Sequence, residues 1–333
     1  MVVSRITIQG VGAVSPAGWS VADLLQAVSL GTALPVAPLE RPARDFKLPV
    51  RRVPSPASPQ AWLRQPRLRR VSPISRFATA AALEALGADA GLVGAGALRL
   101  GIVYCVMAGC VNYSSRFYQE VLNNPATASP LVFPETVFNA PASHLAALLG
   151  TTAVNYTQVG DDTAFVQGLA TAAGWLLEDR VDGCLVIGAE ECDWLTSDAM
   201  RLFAPETVLA EGAGAIYLKR SASGVALEAI TDPQIYLGRD PRSAAIRAVQ
   251  RELETLGAPT QLFDSGAAQG DPWQDWPGRR TSLRQFTGDA FCAASAWQVV
   301  AAAEALRKPS TARVSVMVAG CNHAAIGLSL IRA

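Results

Sequence analysis

The chain has 333 residues, half of them hydrophobic and 17% charged, with a formal net charge of zero. That composition describes a folded protein with room for a large core, and the length predicts two domains or two halves. It gives no support to a general nucleic-acid role. No apolar run reaches the roughly 18 residues of a membrane span, and the opening "MVVSRITIQG" leads into a glycine turn, not a signal-peptide core. A cytoplasmic protein is expected.

Residues 5–14, "RITIQGVGAV", read as a strand entering that turn, and Ser20 is placed to cap a helix over 20–30. Residues 32–75 hold nine prolines and read as irregular. Extended to position 76, this segment has ten Lys/Arg and two Asp/Glu, a balance of +8, so the remainder of the chain carries −8. Regular alternation then begins. An alanine-rich helix ends at Gly87, "LRLGIVYCVM" is a buried strand, and "SSRFYQEVLNN" and "APASHLAALLG" are helices. "AVNYTQV" is a strand, "TAFVQGLATAAGWLLED" a helix, and "GCLVIGAEE" and "EGAGAIYLKR" are strands. A shorter series follows: strand "VALEAI", helix "PRSAAIRAVQRELETLG", strand "TQLFDS", the long apolar helix "DAFCAASAWQVVAAAEAL", and strands "RVSVMVAG" and "AIGLSLIRA". Alternation of this kind predicts α/β layers. The second series repeats the first with parts removed, which predicts a duplicated unit with halves at 1–220 and 221–333.

Cys105, Cys110, Cys184, Cys192, Cys292 and Cys321 form no CxxC pair and lie mostly in apolar runs, as buried free thiols do. With only His144 and His323 beside them, no metal cluster is visible, and no metal or cofactor is expected. Gly10 and Gly12 begin a dinucleotide-like pattern, but Ser15 stands where its third glycine belongs. Trp273 and Trp276 read as a loop packed on its own domain.

The most informative stretch is "TQVGDDTAFVQG", where Asp161 and Asp162 sit side by side between an apolar strand and an apolar helix. As residues, they allow three readings. Asp162 caps the helix, favoured by its dipole. It acts as an acid or base, with Asp161 raising one of the two pKa values by like-charge repulsion. Or the pair makes a polar contact across a subunit interface.

Several segments together resemble the β-ketoacyl synthases, the condensing enzymes of fatty-acid and polyketide synthesis, which have the thiolase fold: duplicated α/β halves in an α-β-α-β-α layering. "ITIQGVGAVSPAGWSVADLLQAVSLG" is similar to their opening "TGxGxVSPxG" strand and helix. "VNYTQVGDDTAFVQGLATAAGWLLEDRVDGCLVIGAEE" is similar to their nucleophile strand, buried helix and "GGAE" strand. "EGAGAIYL", "TGDAFCAASA" and "AGCNHAAIGLSL" resemble the "GEGAG", "TGHxxGAAGA" and "GFGGxN" segments, in the same order. The resemblance implies that Asp162 stands in the place of the catalytic cysteine. It puts Ser265, in "SGAAQGD", at the first histidine, Asp289 at the second, and Arg284 at the family's lysine. All three members of the Cys-His-His triad are thus replaced. Decarboxylative condensation needs an acyl thioester and donors that stabilise an enolate. Each such donor is worth about 10²–10³ in rate, and an ionised Asp289 donates nothing. No condensing activity, and no independent catalytic activity of the isolated chain, is expected.

The family includes chain-length factors, subunits that lack the cysteine and pair with an active ketosynthase. The resemblance therefore implies a non-catalytic partner subunit of fatty-acid or type II polyketide or polyene synthesis, forming a heterodimer or a homodimer. Its seam would run along Ala153, Val154, Asn155, Tyr156, Thr157, Gln158, Val159 and Asp161. An acidic acyl carrier protein is the implied partner of the basic segment, through Arg67, Arg69 and Arg70, unless that segment wraps its own acidic body. The alternatives are an acyl-processing enzyme with changed chemistry and a homo-oligomeric scaffold that holds an acyl carrier.

Overall fold

The computed structural model describes residues 6–58, 60–237, 239–265, 276, 278–321 and 324–333. Its first half runs β1 (Ile6–Val14), α1 (Val21–Leu30), β2 (Ala37–Glu40), β3 (Lys47–Arg51), α2 (Pro73–Leu86), α3 (Asp89–Gly94) and β4 (Leu100–Val106). It continues with α4 (Val111–Asn123), α5 (Ala140–Leu149), β5 (Asn155–Val159), α6 (Ala164–Leu177), β6 (Gly183–Glu190), α7 (Trp194–Phe203), β7 (Leu209–Ala210) and β8 (Gly212–Arg220). The second half has β9 (Val225–Ile230), β10 (Gln234–Ile235), α8 (Arg239–Glu254), β11 (Gln261–Asp264), β12 (Arg279–Ser282), α9 (Arg284–Thr287), α10 (Phe291–Leu306), β13 (Arg313–Ala319) and β14 (Ala324–Arg332).

The duplication is visible in the strand order. One eleven-stranded sheet follows the path β12-β11-β13-β14-β9-β1-β8-β6-β4-β5, with β10 paired to β14 beside it; leaving β10 aside, each half contributes five strands in the order third, second, fourth, fifth, first. The directions repeat as well. In the first half β4 is parallel to β5 and β6, and β8 is antiparallel to β6 and β1. In the second, β11 is parallel to β12 and β13, and β14 is antiparallel to β13 and β9. The two units join where Thr7 and Ile8 of β1 pair with Ala226 and Val225 of β9.

Three apolar cores separate five layers. One lies between the first half-sheet and α2 and α5, one around α6 and α10 in the middle, and one between the second half-sheet and α8. This central position explains the unbroken apolar character of α10, which has no polar face because nearly every residue is buried. It explains the runs of β4 and β6 equally, since both of their faces are covered. Gly10 and Gly12 serve packing: a Cβ on either would fall about 2 Å from the carbonyl oxygen of Ala85 or Ala81 on α2. The weak nucleotide-like pattern is a helix–sheet contact.

Ser20 does cap α1, accepting from the Asp23 N–H. The cysteines are all free, five of them buried and Cys321 exposed. Residues 32–76 are less irregular than expected. They include β2 and β3, which pair with each other and, through β3, with β7, and α2 already begins at Pro73 in the first helical turn. Trp276 packs against the core under α8, whereas Trp273 lies outside the described residues, as does His323. No helix among the described residues is long and apolar enough to cross a membrane.

Candidate functional site

Each half ends a strand in a turn that leads into a central helix, and these two turns face each other. Asp162 sits in the turn from β5 to α6, and Asp289 just ahead of α10. Arg284, on the one-turn helix α9, lies between them. Its Nη2 donates to Asp162 Oδ1 at 3.1 Å, and its Nη1 lies 3.1 Å from Asp289 Oδ2. The second oxygen of Asp162 accepts from the Cys321 N–H at 3.1 Å, and that of Asp289 from the Phe291 N–H at 3.0 Å. Asp162 is fully buried and Asp289 nearly so. Three of the four positions singled out from the sequence therefore form one Asp–Arg–Asp network. Ser265 is also buried but stands outside it, its hydroxyl accepting from the Ala319 N–H at 3.2 Å.

Helix capping is not what Asp162 does. α6 begins at Ala164, Thr163 occupies the cap position, and no side chain closes a capping bond there. A buried guanidinium is a stronger partner for a carboxylate than a helix N–H, and the turn directs Asp162 inward toward it. The neighbouring Asp161 is the local binder. Its Oδ1 accepts from the Thr163 N–H at 3.0 Å and from the Thr163 hydroxyl at 2.6 Å. Asp161 is buried against Gly320, where a Cβ would lie 2.0 Å from Asp161 Oδ2. It therefore turns into the chain and away from the open edge of β5.

Two carboxylates around one guanidinium leave an excess negative charge in a dry place. Burial raises the Asp162 carboxyl to about 7; Arg284 opposes the shift, and Asp289 and Asp161 add to it. Burial also works against the Arg284 charge, but Asp289 and Asp162 outweigh it and raise that pKa. Glu191, buried at the end of β6, is likewise raised to about 7, first by burial. These shifts fix the sign of a pH effect. A carboxyl with a raised folded-state pKa binds its proton more tightly in the native state, so its contribution is complete below the unfolded value and is lost as pH rises through the folded one. For Asp162 and Glu191 that window runs from about 4 to about 7. Chemical denaturation is expected to show stability falling by a few kcal/mol between pH 5 and pH 8, with a shallower slope in Asp162→Asn. A slope of opposite sign, or one untouched by this substitution, overturns the assignment.

Sequence reasoning did not single out two other buried carboxylates, Glu190 and Glu135. Glu190 closes the β4–α4 turn by accepting from the N–H groups of Met107 at 2.5 Å and Ala108 at 3.2 Å. Glu135 accepts from the Ser72 N–H at 3.2 Å and meets His144 Nε2 at 2.6 Å, tying the loop before α5 to α2. The adjacent acidic pair in "GAEE" was the only signal for the first; nothing in the sequence marked the second. Among the described residues no cluster of His, Cys, Asp and Glu is arranged to hold a metal ion.

The expected seam residues lie along β5 and just ahead of it. β5 pairs with β4 and, among the described residues, has no strand on its other side, so it is one end of the sheet. Tyr156 and Val159 are 49% and 54% exposed. Asn155 is also exposed, Thr157 and Gln158 are half-buried, and Ala153 and Val154 pack back onto the central core.

At the level of sequence, no family model and no curated protein matches the chain. Solved structures do. The ishigamide ketosynthase/chain length factor superposes with a TM-score of 0.82 at 20% identity, covering 98% of this chain and 99% of that one. A type II polyketide-synthase ketosynthase, solved with its acyl-carrier protein and bound to the hexaketide, gives 0.79 at 17% identity, covering 98% and 99%. A ketosynthase in complex with its chain length factor from Xenorhabdus doucetiae gives 0.78 at 15% identity, covering 98% of each. Over almost its whole length, then, the chain has the duplicated thiolase fold of the ketosynthases and chain length factors.

Proposed function

We propose that the chain is a non-catalytic ketosynthase-like subunit of the chain-length-factor type, which pairs with an active ketosynthase in fatty-acid or type II polyketide or polyene synthesis. The observation that supports this most directly is the Arg284 bridge. A condensing site needs a nucleophile and hydrogen-bond donors aimed at a developing enolate. Here the position corresponding to the nucleophile holds a carboxyl turned onto Arg284 and the Cys321 N–H, and the position of the second histidine holds another carboxyl on the same guanidinium. The place where chemistry is expected has become an internal ion network, while the surrounding scaffold is kept.

On this reading the halves are 1–220 and 221–333, meeting in the turn between β8 and β9. The open edge of β5 is the pairing surface. An acyl carrier protein docks on the basic segment at Arg67, Arg69 and Arg70. Part of that segment is committed to the body of the chain instead: Arg41 pairs with Asp198 at 2.9 Å and Arg52 with Glu211 at 3.1 Å.

The test is activity alone and in company. The purified chain, given acyl and malonyl carrier proteins, is expected to form no condensation product. Coexpressed with the ketosynthase of its own pathway, it is expected to copurify as an active complex whose activity survives Asp162→Asn. Steady turnover by the isolated chain that disappears in Asp162→Ala identifies an enzyme with changed chemistry. A stable homo-oligomer that ignores every ketosynthase but retains a carrier protein identifies a scaffold.

A further inference from the structure

Helix α10 begins at the Asp–Arg–Asp network and ends in a different environment. Its last turns, α1 and the end strand β12 enclose a recess of about 540 Å³. Asp162, Arg284 and Asp289 do not line it, so it stands apart from the network and from the pairing reading. The floor is apolar. Leu25 and Val28 come from α1, Phe263 from β11, Phe286 from α9, and Ala301 and Ala305 from α10. Phe263 and Ala301 are buried and the other four half-buried. Ala301 and Ala305 are four residues apart, so they share one face of α10, and their short side chains leave the space open.

The rim is basic, with Arg279 and Arg280 on β12 and Arg307 and Lys308 at the end of α10. Two of these cations are already engaged, Arg280 with the buried Asp264 at 2.5 Å and Arg307 with Glu304 at 3.2 Å. Glu304 is the one carboxylate lining the recess among the described residues. Arg279 and Lys308 are exposed and have no carboxylate within ion-pair distance among the described residues. The rim thus keeps two uncompensated cations after Glu304 and Asp264 are counted. The C-terminal end of a helix ordinarily repels an anion. Here Arg332 covers that end of α10. Its Nε and Nη2 donate to the Leu306 carbonyl at 3.2 and 2.9 Å, and Nη2 also donates to the Lys308 carbonyl. Charge on an end strand also blunts it against pairing, but that use requires no apolar recess beside the charge.

We propose that this recess binds a medium-chain alkyl carboxylate, with its chain on the apolar floor and its head group at Arg279 and Lys308. A free guanidinium fork and a free ammonium match the two oxygens of one carboxylate. The volume lies within the range of about 300–1,000 Å³ of pockets that bury small ligands, and an apolar lining with a few placed polar groups is their usual make-up.

Calorimetric titration of the full chain with octanoate, acetate and octan-1-ol at low salt tests the assignment. Saturable one-to-one binding of octanoate is expected. Acetate, which lacks the chain, is expected to bind at least 100-fold more weakly. Octanol, which keeps the chain and lacks the charge, is expected to bind at least tenfold more weakly. Arg279→Gln combined with Lys308→Gln changes two exposed side chains, so the melting temperature is expected to hold while octanoate affinity falls at least tenfold and loses its salt dependence. Absence of saturable octanoate binding overturns the proposal. So does binding indifferent to the double substitution, which places the ligand elsewhere in the chain. Acetate as tight as octanoate denies the floor a role, octanol as tight as octanoate denies the cations one, and either result overturns the proposal as well.

Discussion

Arg284→Met is expected to cost about 3–5 kcal/mol of folding stability, the loss seen when one partner of a buried ion pair is removed. Domains of ordinary stability have only about 5–15 kcal/mol in total, so the variant sits at the edge of unfolding. The reason is electrostatic. With the guanidinium gone, Asp162 and Asp289, both buried, are left, among the described residues, with the N–H groups of Cys321 and Phe291. The deficit is expected to be larger at pH 8 than at pH 5, where protonation of the raised Asp162 carboxyl removes part of the repulsion. The triple variant Asp162→Asn, Arg284→Met, Asp289→Asn carries no buried charge at these positions and is expected to recover most of the loss, as neutral replacements of buried ion networks do. Urea denaturation of the three proteins at both pH values decides the matter. If Arg284→Met costs under about 1 kcal/mol, the network does not hold the two turns together and the central argument for a retired site falls with it.

The same network shows where the sequence was legible and where it was not. The regular elements could be read because their environment is written into them: a strand covered on both faces is a continuous apolar run, and a helix between two sheets has no polar side. β12 escaped because it is a short end strand with the sequence Arg-Arg-Thr-Ser, which has no such signature. α7 escaped too, although its N-terminus carries a normal capping signal, Asp193 accepting from the Thr196 N–H. At the site, the replaced residue types could be read but not their compensation. Asp162 precedes a helix, and local rules make it a cap; its true partner, Arg284, lies 122 residues away. Asp161 presents the same problem. Only the missing Cβ of Gly320 admits its carboxylate to the interior, and that closeness joins segments far apart in the chain.

Val159→Asp is expected to abolish subunit pairing while leaving the fold of the chain intact. Val159 is 54% exposed at the end of β5, and Tyr156 is 49% exposed on the same strand. An end strand that exposes apolar side chains and has no strand beyond it among the described residues invites another chain, and proteins that are to remain apart usually blunt such an edge with charge or proline. None of the five residues of β5 is charged or proline. Permanent interfaces of this kind bury more than roughly 2,000 Å² and are apolar at their centre. A carboxylate placed there must be desolvated without a partner, a cost of several kcal/mol, so affinity is expected to drop at least 100-fold. In the free chain the new carboxylate reaches water, so the melting temperature of the isolated subunit is expected to stay within about 2 °C of the parent. Sedimentation of the chain alone and mixed with the ketosynthase of its pathway separates the outcomes. Loss of the mixed complex with an unchanged monomer places the seam on β5. Pairing that survives both Val159→Asp and Tyr156→Lys puts it on another surface, and the open edge of the sheet then needs a different occupant.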